Sequence, residues 1–395
     1  MCPTLLTVFL AGFSLPPTPH LEAQASEIRG YALNVAAGTN SGPFTSSNVS
    51  DTQIIRLMAA PAIGPVELEL AHEQFLSLTV GESMPSRSDD FATPRSGTEW
   101  LDLQGTIASS DRAVWRHRVD RLSAHFELGS AADLTVGRQP ISWATTLILT
   151  PADPFVPFNA EDPFREYRTG VDAARLRVFP GPFSSLDAVL RVAKVDGEDI
   201  VTGLARAHAV VAGWEVGGWA GYVHEEASVS LALTRTFAGT AGRAEFVVRD
   251  QEESIVSRLA LGLDRSFSVF GRDLYAVLEY QRDELGAGDA SQFASVLSSR
   301  PFRRGELIVL GRNTAALQTT YSIHTLWSTT LLLLSNLDDP SLLLAPGLGY
   351  SVSDEIVARG GLFLGLGRNE TSAGTPGSEF GPVPTVAWIS AAVFF

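Results

Sequence analysis

Asp153, Glu161, Asp162, Arg165, Glu166 and Arg168 crowd ionisable side chains of both signs into one short stretch of this 395-residue chain. Pro151, Pro154, Pro157 and Pro163 run through the same stretch. Proline donates no ladder hydrogen bond, so the segment is a loop and not a central strand. Carboxylates and guanidiniums opposed across a wet opening set up a transverse field that orients and selects small polar solutes. Bond-making chemistry has no comparable support. The chain has no Gly-x-Ser-x-Gly elbow, no Gly-rich phosphate loop and no His-Glu-x-x-His pair. Its seven histidines stand singly. The sequence therefore predicts neither an enzyme nor a cofactor or metal site. Two alternatives to a constriction stay open: a packed plug whose charges pair among themselves, and a specific ligand site.

A second set of charges stands on the flanking strands. Arg175 and Arg177 alternate with Ala174, Leu176 and Val178, while Asp187 and Arg191 alternate with Leu186, Ala188, Leu190 and Val192. With Arg138 they form a basic stripe on one face. An arginine facing lipid near the midplane costs about 2–4 kcal/mol, so the stripe is expected to line an aqueous interior. The alternative is that these side chains pair with carboxylates and only fill space.

The elements that must hold these residues repeat along the chain. Segments of alternating polarity recur from Tyr31 onward, for example Arg243, Glu245 and Arg249 against Ala244, Phe246 and Val248. A soluble β-sandwich would alternate too, but charges of both signs in mid-strand suit a wet lumen. Trp214, Trp219, Tyr222, Trp327, Tyr350 and Trp388 are expected to form interfacial girdles. Short connections (61–65, 129–132, 237–241) contrast with long polar ones (38–51, 81–97, 140–169, 283–301, 368–384), as periplasmic turns contrast with extracellular loops. The expectation is an all-β, transmembrane, antiparallel up-and-down barrel of about 18 strands, with 16 to 20 defensible. Residues 112–128 are too long for one ordinary strand and show no turn. No segment reads as an amphipathic helix. The final stretch runs in alternation to Phe395, whose terminal aromatic resembles the signal read by the barrel-assembly machinery of Gram-negative bacteria.

Composition agrees. Hydrophobic residues make up 45% and the mean hydropathy is +0.11. Yet no apolar run reaches the roughly 18 residues of a spanning helix. Net charge is −15, which argues against nonspecific nucleic-acid binding. Lys194 is the only lysine, and Cys2 is the only cysteine. Residues 5–13 and the Ala23-Gln24-Ala25 pattern read as an export signal over 1–25, leaving a barrel over 26–395.

One segment supports a closer likeness. Gly137-Arg-Gln, Ile141-Ser-Trp, the Pro151-x-Asp-x-Phe-x-Pro157 loop and Tyr167-Arg-x-Gly-Val-Asp172 are all present. Over 137–173 the chain resembles a poorly characterised branch of porin-like Gram-negative outer-membrane barrels. That family tends to have glycines just after the tryptophan, where Ala144 and Thr146 stand here. The resemblance implies an outer-membrane channel for passive or weakly selective passage of small hydrophilic solutes. The Arg138, Arg175, Arg177 and Arg191 wall adds an anion preference. Expected partners are outer-membrane lipid and lipopolysaccharide, the assembly machinery and the solutes themselves. The alternative function is a plugged, non-transporting surface receptor or envelope scaffold.

Overall fold

Alternating strands can satisfy their backbone in lipid only by closing on themselves, and this chain does so. The computed structural model describes residues 23–24, 27–81, 99–157, 162–251, 254–370 and 375–395. Residues 1–22 of the expected leader and Glu161 of the charged loop lie outside them. The fold is a closed antiparallel barrel of 18 strands. In chain order these are β1 (Arg29–Thr39), β2 (Asn48–Ala59), β3 (Val66–Gly81), β4 (Ala113–Glu127), β5 (Ala132–Gln139) and β6 (Val171–Gly181). Next come β7 (Ser184–Val195), β8 (Glu198–Val211), β9 (Trp214–Val223), β10 (Glu226–Phe237), β11 (Thr240–Gln251) and β12 (Ser254–Val269). The last six are β13 (Arg272–Asp283), β14 (Asn313–His324), β15 (Trp327–Asn336), β16 (Ser341–Ser351), β17 (Ile356–Leu366) and β18 (Val386–Phe394).

Each strand pairs with its successor, and β18 closes on β1 with Phe394 opposite Tyr31 and Val386 opposite Thr39. Phe395 extends the seam. Its N–H donates to Gly30 O at 3.0 Å, and Gly30 N–H donates to Phe395 O at 2.7 Å. Tight turns join the strands at one end: Ala212-Gly213, Ala238-Gly239 and Phe270-Gly271 all have positive φ at both positions. That is the backbone of a type I′ hairpin, whose twist matches the flanking strands. The long connections, including 140–170, 284–312 and 367–385, all emerge at the other end.

Residues 112–128 resolve without a turn. β4 is one long strand with a register shift opposite Ala71 and His72. Its upper half pairs with a short strand, Gln104–Ser109, and its lower half with β5. Local alternation could not show that one strand serves two neighbours. The long connections also fold beyond expectation, since 284–312 carries two short helices, Phe293–Ser298 and Arg300–Arg303.

The apolar face points outward. Leu190, Leu263 and Leu278 are each more than half exposed, whereas Glu245, Arg249 and Glu279 behind the same wall are buried. Such a surface would aggregate in water and is the stable one in lipid. The girdle assignment needs correction at two positions. Trp219 and Trp388 face inward and are buried, while Trp214, Tyr222 and Trp327 are exposed. Strand parity decides this: Trp219 shares its face with lumenal Gly217, and Trp388 with Val386.

Deleting Phe395 removes the last hydrogen-bonded pair of the closing seam. Outer-membrane levels of heat-modifiable protein should fall several-fold, with periplasmic aggregates on immunoblots. Full assembly of the truncated chain would show that the terminal residue is dispensable.

Candidate functional site

The chain crosses its own lumen between β5 and β6. Within this loop, Asp153-Pro-Phe155 and Asp162-Pro-Phe164 are two copies of one local device. In each, the aspartate Oδ1 accepts the phenylalanine N–H at 3.1 Å, a turn that aspartate favours before proline. In each, the phenylalanine is buried edge-on against a tryptophan. Phe155 meets Trp143 at a centroid distance of 5.0 Å, and Phe164 meets Trp388 at 4.8 Å. Arg168 Nη1 donates to Asp153 Oδ2 at 3.0 Å, and Arg165 Nε lies 3.3 Å from Asp162 Oδ2. Burial pushes both carboxyls up, with Arg168 and Arg165 respectively opposing the rise. Asp153 and Asp162 thus hold the loop's shape and do not project into the lumen. Glu166 reaches the far wall, 3.0 Å from Arg359 on β17.

The loop backbone is pinned by two wall carboxylates. Glu245 on β11 accepts the N–H groups of Thr145, Thr146 (2.7 Å) and Ala152 (3.4 Å). Glu279 on β13 accepts those of Leu147 (2.6 Å), Ile148 (3.0 Å) and Leu149 (2.8 Å). The bonds run the other way as well. Arg243 Nη1 donates to Thr145 O at 3.0 Å, Trp219 Nε1 to Ala152 O at 3.0 Å, and Arg191 Nη1 to Phe155 O at 3.1 Å. Apolar packing then fills one side: Ile148, Leu149 and Phe164 join Tyr31, Leu33, Val35 and Ala37 of β1 in a single cluster.

On the opposite side a polar gap remains. A cavity of about 290 Å³ lies between residues 144–147 and the inner wall of β8–β11. Arg168, Arg206, His208, Glu215, Thr234 and Arg243 line it. Three guanidiniums face one lining carboxylate, Glu215. The arginines do have partners: Arg206 lies 3.8 Å from Asp187, and Arg243 donates to Asp264 at 2.7 Å.

The other expected wall residues also sit on the lumenal side, each in a defined contact. Arg138 and Asp172 form a two-pronged pair, both bonds 2.8 Å. This links the Gly-Arg-Gln and Gly-Val-Asp ends of the loop, since the two residues are cross-strand partners. Gly137 beside them has φ +117, and a Cβ there would lie 2.2 Å from Leu122 O. Arg175 binds Asp187 at 2.9 Å, and Arg177 binds Asp133 at 2.9 Å. Arg191 is buried. The structure thus brings Arg168 to the gap, while Arg138, Arg175 and Arg177 stand along the adjoining wall.

Reading the sequence alone missed Glu245, Glu279, Arg206 and Arg243. Each looks like any polar-face residue of an alternating strand. No neighbour along the strand marks them out, since Glu279 stands between lumenal Val277 and Gln281 and Glu245 between Arg243 and Val247.

At the long-loop end, 284–312 and 367–385 lock together. Glu379 accepts N–H groups from Leu310 (2.6 Å) and Gly311 (3.0 Å), and Glu306 pairs with Arg249 on β11. Burial alone would raise the Glu306 carboxyl, but Arg249, His224 and Arg258 hold it well below the usual range.

Fold and surface together define the class: an outer-membrane barrel of porin architecture, with an apolar exterior and an infolded loop. Neither a protein-family model nor a curated protein sequence matches the chain. Solved structures do. The outer membrane protein OpdK from Pseudomonas aeruginosa is 10% identical, with 93% of this chain and 99% of that chain covered and a TM-score of 0.52. An OpdK structure with vanillate is 12% identical over 93% and 98%, TM-score 0.52. A BenF-like porin from Pseudomonas fluorescens Pf-5 is 10% identical over 94% and 98%, TM-score 0.55. At these identities the likeness is one of fold.

Two expected outcomes check this geometry. Hydrogen bonds to charged acceptors contribute about 1.5–3 kcal/mol each, so Glu279→Ala should free residues 147–149, lower thermal stability and raise single-channel conductance. Unchanged conductance with lowered stability would separate the pin from the pore. For Glu306, the folded pKa is depressed, so its contribution is complete above the unfolded value of about 4.3. It is lost as pH falls through the lowered folded value. Glu306→Gln should therefore flatten the loss of melting temperature on acidification below about pH 4, measured by intrinsic fluorescence; an unaltered acid profile counts against the link.

Proposed function

We propose that the protein is an outer-membrane channel passing small hydrophilic solutes, with a preference for anions. The observation that carries this reading is the gap between loop and wall, where Arg168, Arg206 and Arg243 outnumber Glu215. Positive side chains at a constriction of low dielectric favour entry of an anion, and neighbouring carboxylates keep its binding weak enough for release. The fold shared with porins supports passage as the role. A channel of this kind needs no catalytic group and no cofactor. We assign its insertion to the barrel-assembly machinery and its surroundings to lipid and lipopolysaccharide. A plugged scaffold is the second reading, favoured by the apolar packing of the loop against β1.

Planar-bilayer recording of refolded protein decides between them. A stable ohmic conductance is expected, reduced by a small aromatic carboxylate such as the vanillate bound by OpdK. Replacing Arg168 and Arg206 with glutamate should move the reversal potential in a salt gradient toward cations. The shift should shrink near 1 M salt, where screening acts within about 3 Å. Absence of conductance would favour the plugged scaffold, and conductance indifferent to both substitutions would put the path elsewhere.

A further inference from the structure

We propose that the outer wall of β10–β12 carries a binding site for one anionic phospholipid of the periplasmic leaflet. The outward residues at mid-height are apolar, as at Leu231, Leu261 and Leu278. Toward the tight-turn end two arginines interrupt them, Arg235 on β10 and Arg265 on β12. Both are exposed on the lipid side. Arg235 shares its face with Leu233 and Phe237, and Arg265 with Leu263 and Phe267. Short turns mark the periplasmic end of such barrels, and the leaflet at that end is built of phospholipid.

Each arginine is set over an aromatic ring and keeps donors to spare. The Arg235 guanidinium lies 5.0 Å from the centre of the Trp214 ring, and that of Arg265 lies 5.3 Å from the centre of Phe267. Arg265 Nη1 also donates to Thr240 Oγ1 on β11 at 3.3 Å. Among the described residues neither arginine forms an ion pair, unlike Arg175, Arg177 and Arg243 on the lumenal face. Asp264 and Asp273, at the same height, alternate onto that lumenal face, with Asp264 opposite buried Val277 and Asp273 opposite Ser268. A guanidinium presents five N–H donors, and the hydrocarbon beside these two offers nothing to accept them.

A groove runs up the wall from this pair. Its volume is about 950 Å³, and Gly242 and Ala244 of β11 form its floor, between Leu233 on one side and Leu261 and Leu263 on the other. Register puts Gly242 opposite both Arg235 and Leu263, and Thr240 opposite both Phe237 and Arg265. The arginines therefore stand at the foot of the groove, one on each side of β11. Neighbouring strands lie about 4.8 Å apart, so about 10 Å separates β10 from β12. Two arginine side chains can close that span around a single phosphate, whose oxygens match their forked donors. Interfacial belts place side chains at headgroup height all round a barrel. Here the groove above the pair adds a seat for an acyl chain, over backbone that Gly242 leaves bare. Charge selects the headgroup. A zwitterionic lipid would bring an ammonium up to two cations, whereas a phosphate diester with an uncharged head brings only the anion.

The test is native mass spectrometry of the full chain in mild detergent, titrated with phosphatidylglycerol or with phosphatidylcholine. One phosphatidylglycerol should stay bound at a concentration about tenfold lower than phosphatidylcholine requires. Replacing Arg235 and Arg265 together with glutamine should abolish that preference. Arg282→Gln, on the exposed face at the long-loop end, should leave it intact. Gly242→Leu fills the groove floor, where a Cβ meets its nearest neighbours at an ordinary 3.8 Å. It should weaken retention about tenfold with both arginines in place. Heat-modifiability of each variant checks that the barrel is folded. Equal retention of the two lipids, a preference that survives loss of both arginines, retention indifferent to Gly242→Leu, or displacement of the lipid by inorganic phosphate alone would overturn the site. Conductance plays no part in the readout, so the channel reading and this one fail separately.

Discussion

The structure depends on how residues 145–149 satisfy their backbone inside the barrel. A segment that crosses a lumen gives up ladder partners on both sides, and unpaired buried N–H groups are costly. Glu245 and Glu279 meet that need from the wall, taking the N–H groups of five successive residues between them. Everything else about the loop follows from that anchorage. Ile148 and Leu149 are turned toward β1, Thr145 and Thr146 toward the gap, and the two Asp-Pro-Phe turns carry the chain back to β6.

Anchorage also gives the lumen two unlike halves. β1 presents Tyr31, Leu33, Val35 and Ala37 inward, where they are buried beneath the loop. The β8–β11 wall presents Arg206, His208, Glu215 and Arg243 to the open cavity. An apolar inner face on β1 has a counterpart outside, since alternation then leaves Asn34 and small residues on its outer face.

The net charge of −15 says little about the gap. Most wall arginines are neutralised by cross-strand carboxylates, Arg138 by Asp172, Arg175 by Asp187 and Arg177 by Asp133. The guanidiniums that reach the remaining opening, Arg168 from the loop and Arg206 and Arg243 from the wall, also stand beside carboxylates, those of Asp153, Asp187 and Asp264.

The architecture was legible in the sequence because each strand's apolar face is a local, period-two signal and each turn has its own residues, as at Ala238-Gly239. The loop's place in the chain was legible too, since proline forbids a ladder and Asp-Pro-Phe forms its turn locally. What only the tertiary structure decided is which charges meet. Glu245 lies about a hundred residues from Thr145, and Glu279 further from Leu147. No spacing along one strand reveals which point of the opposite wall it will face. Asp153 and Asp162 read as lumenal charges yet turned inward to their own backbone, because a carboxylate beside a following N–H finds a nearer partner than the far wall. Trp219 and Trp388 went inward because strand parity puts them on the face that the loop covers. Alternation states that faces differ, and only closure of the barrel around its loop says which face is wet, which is packed and which meets lipid.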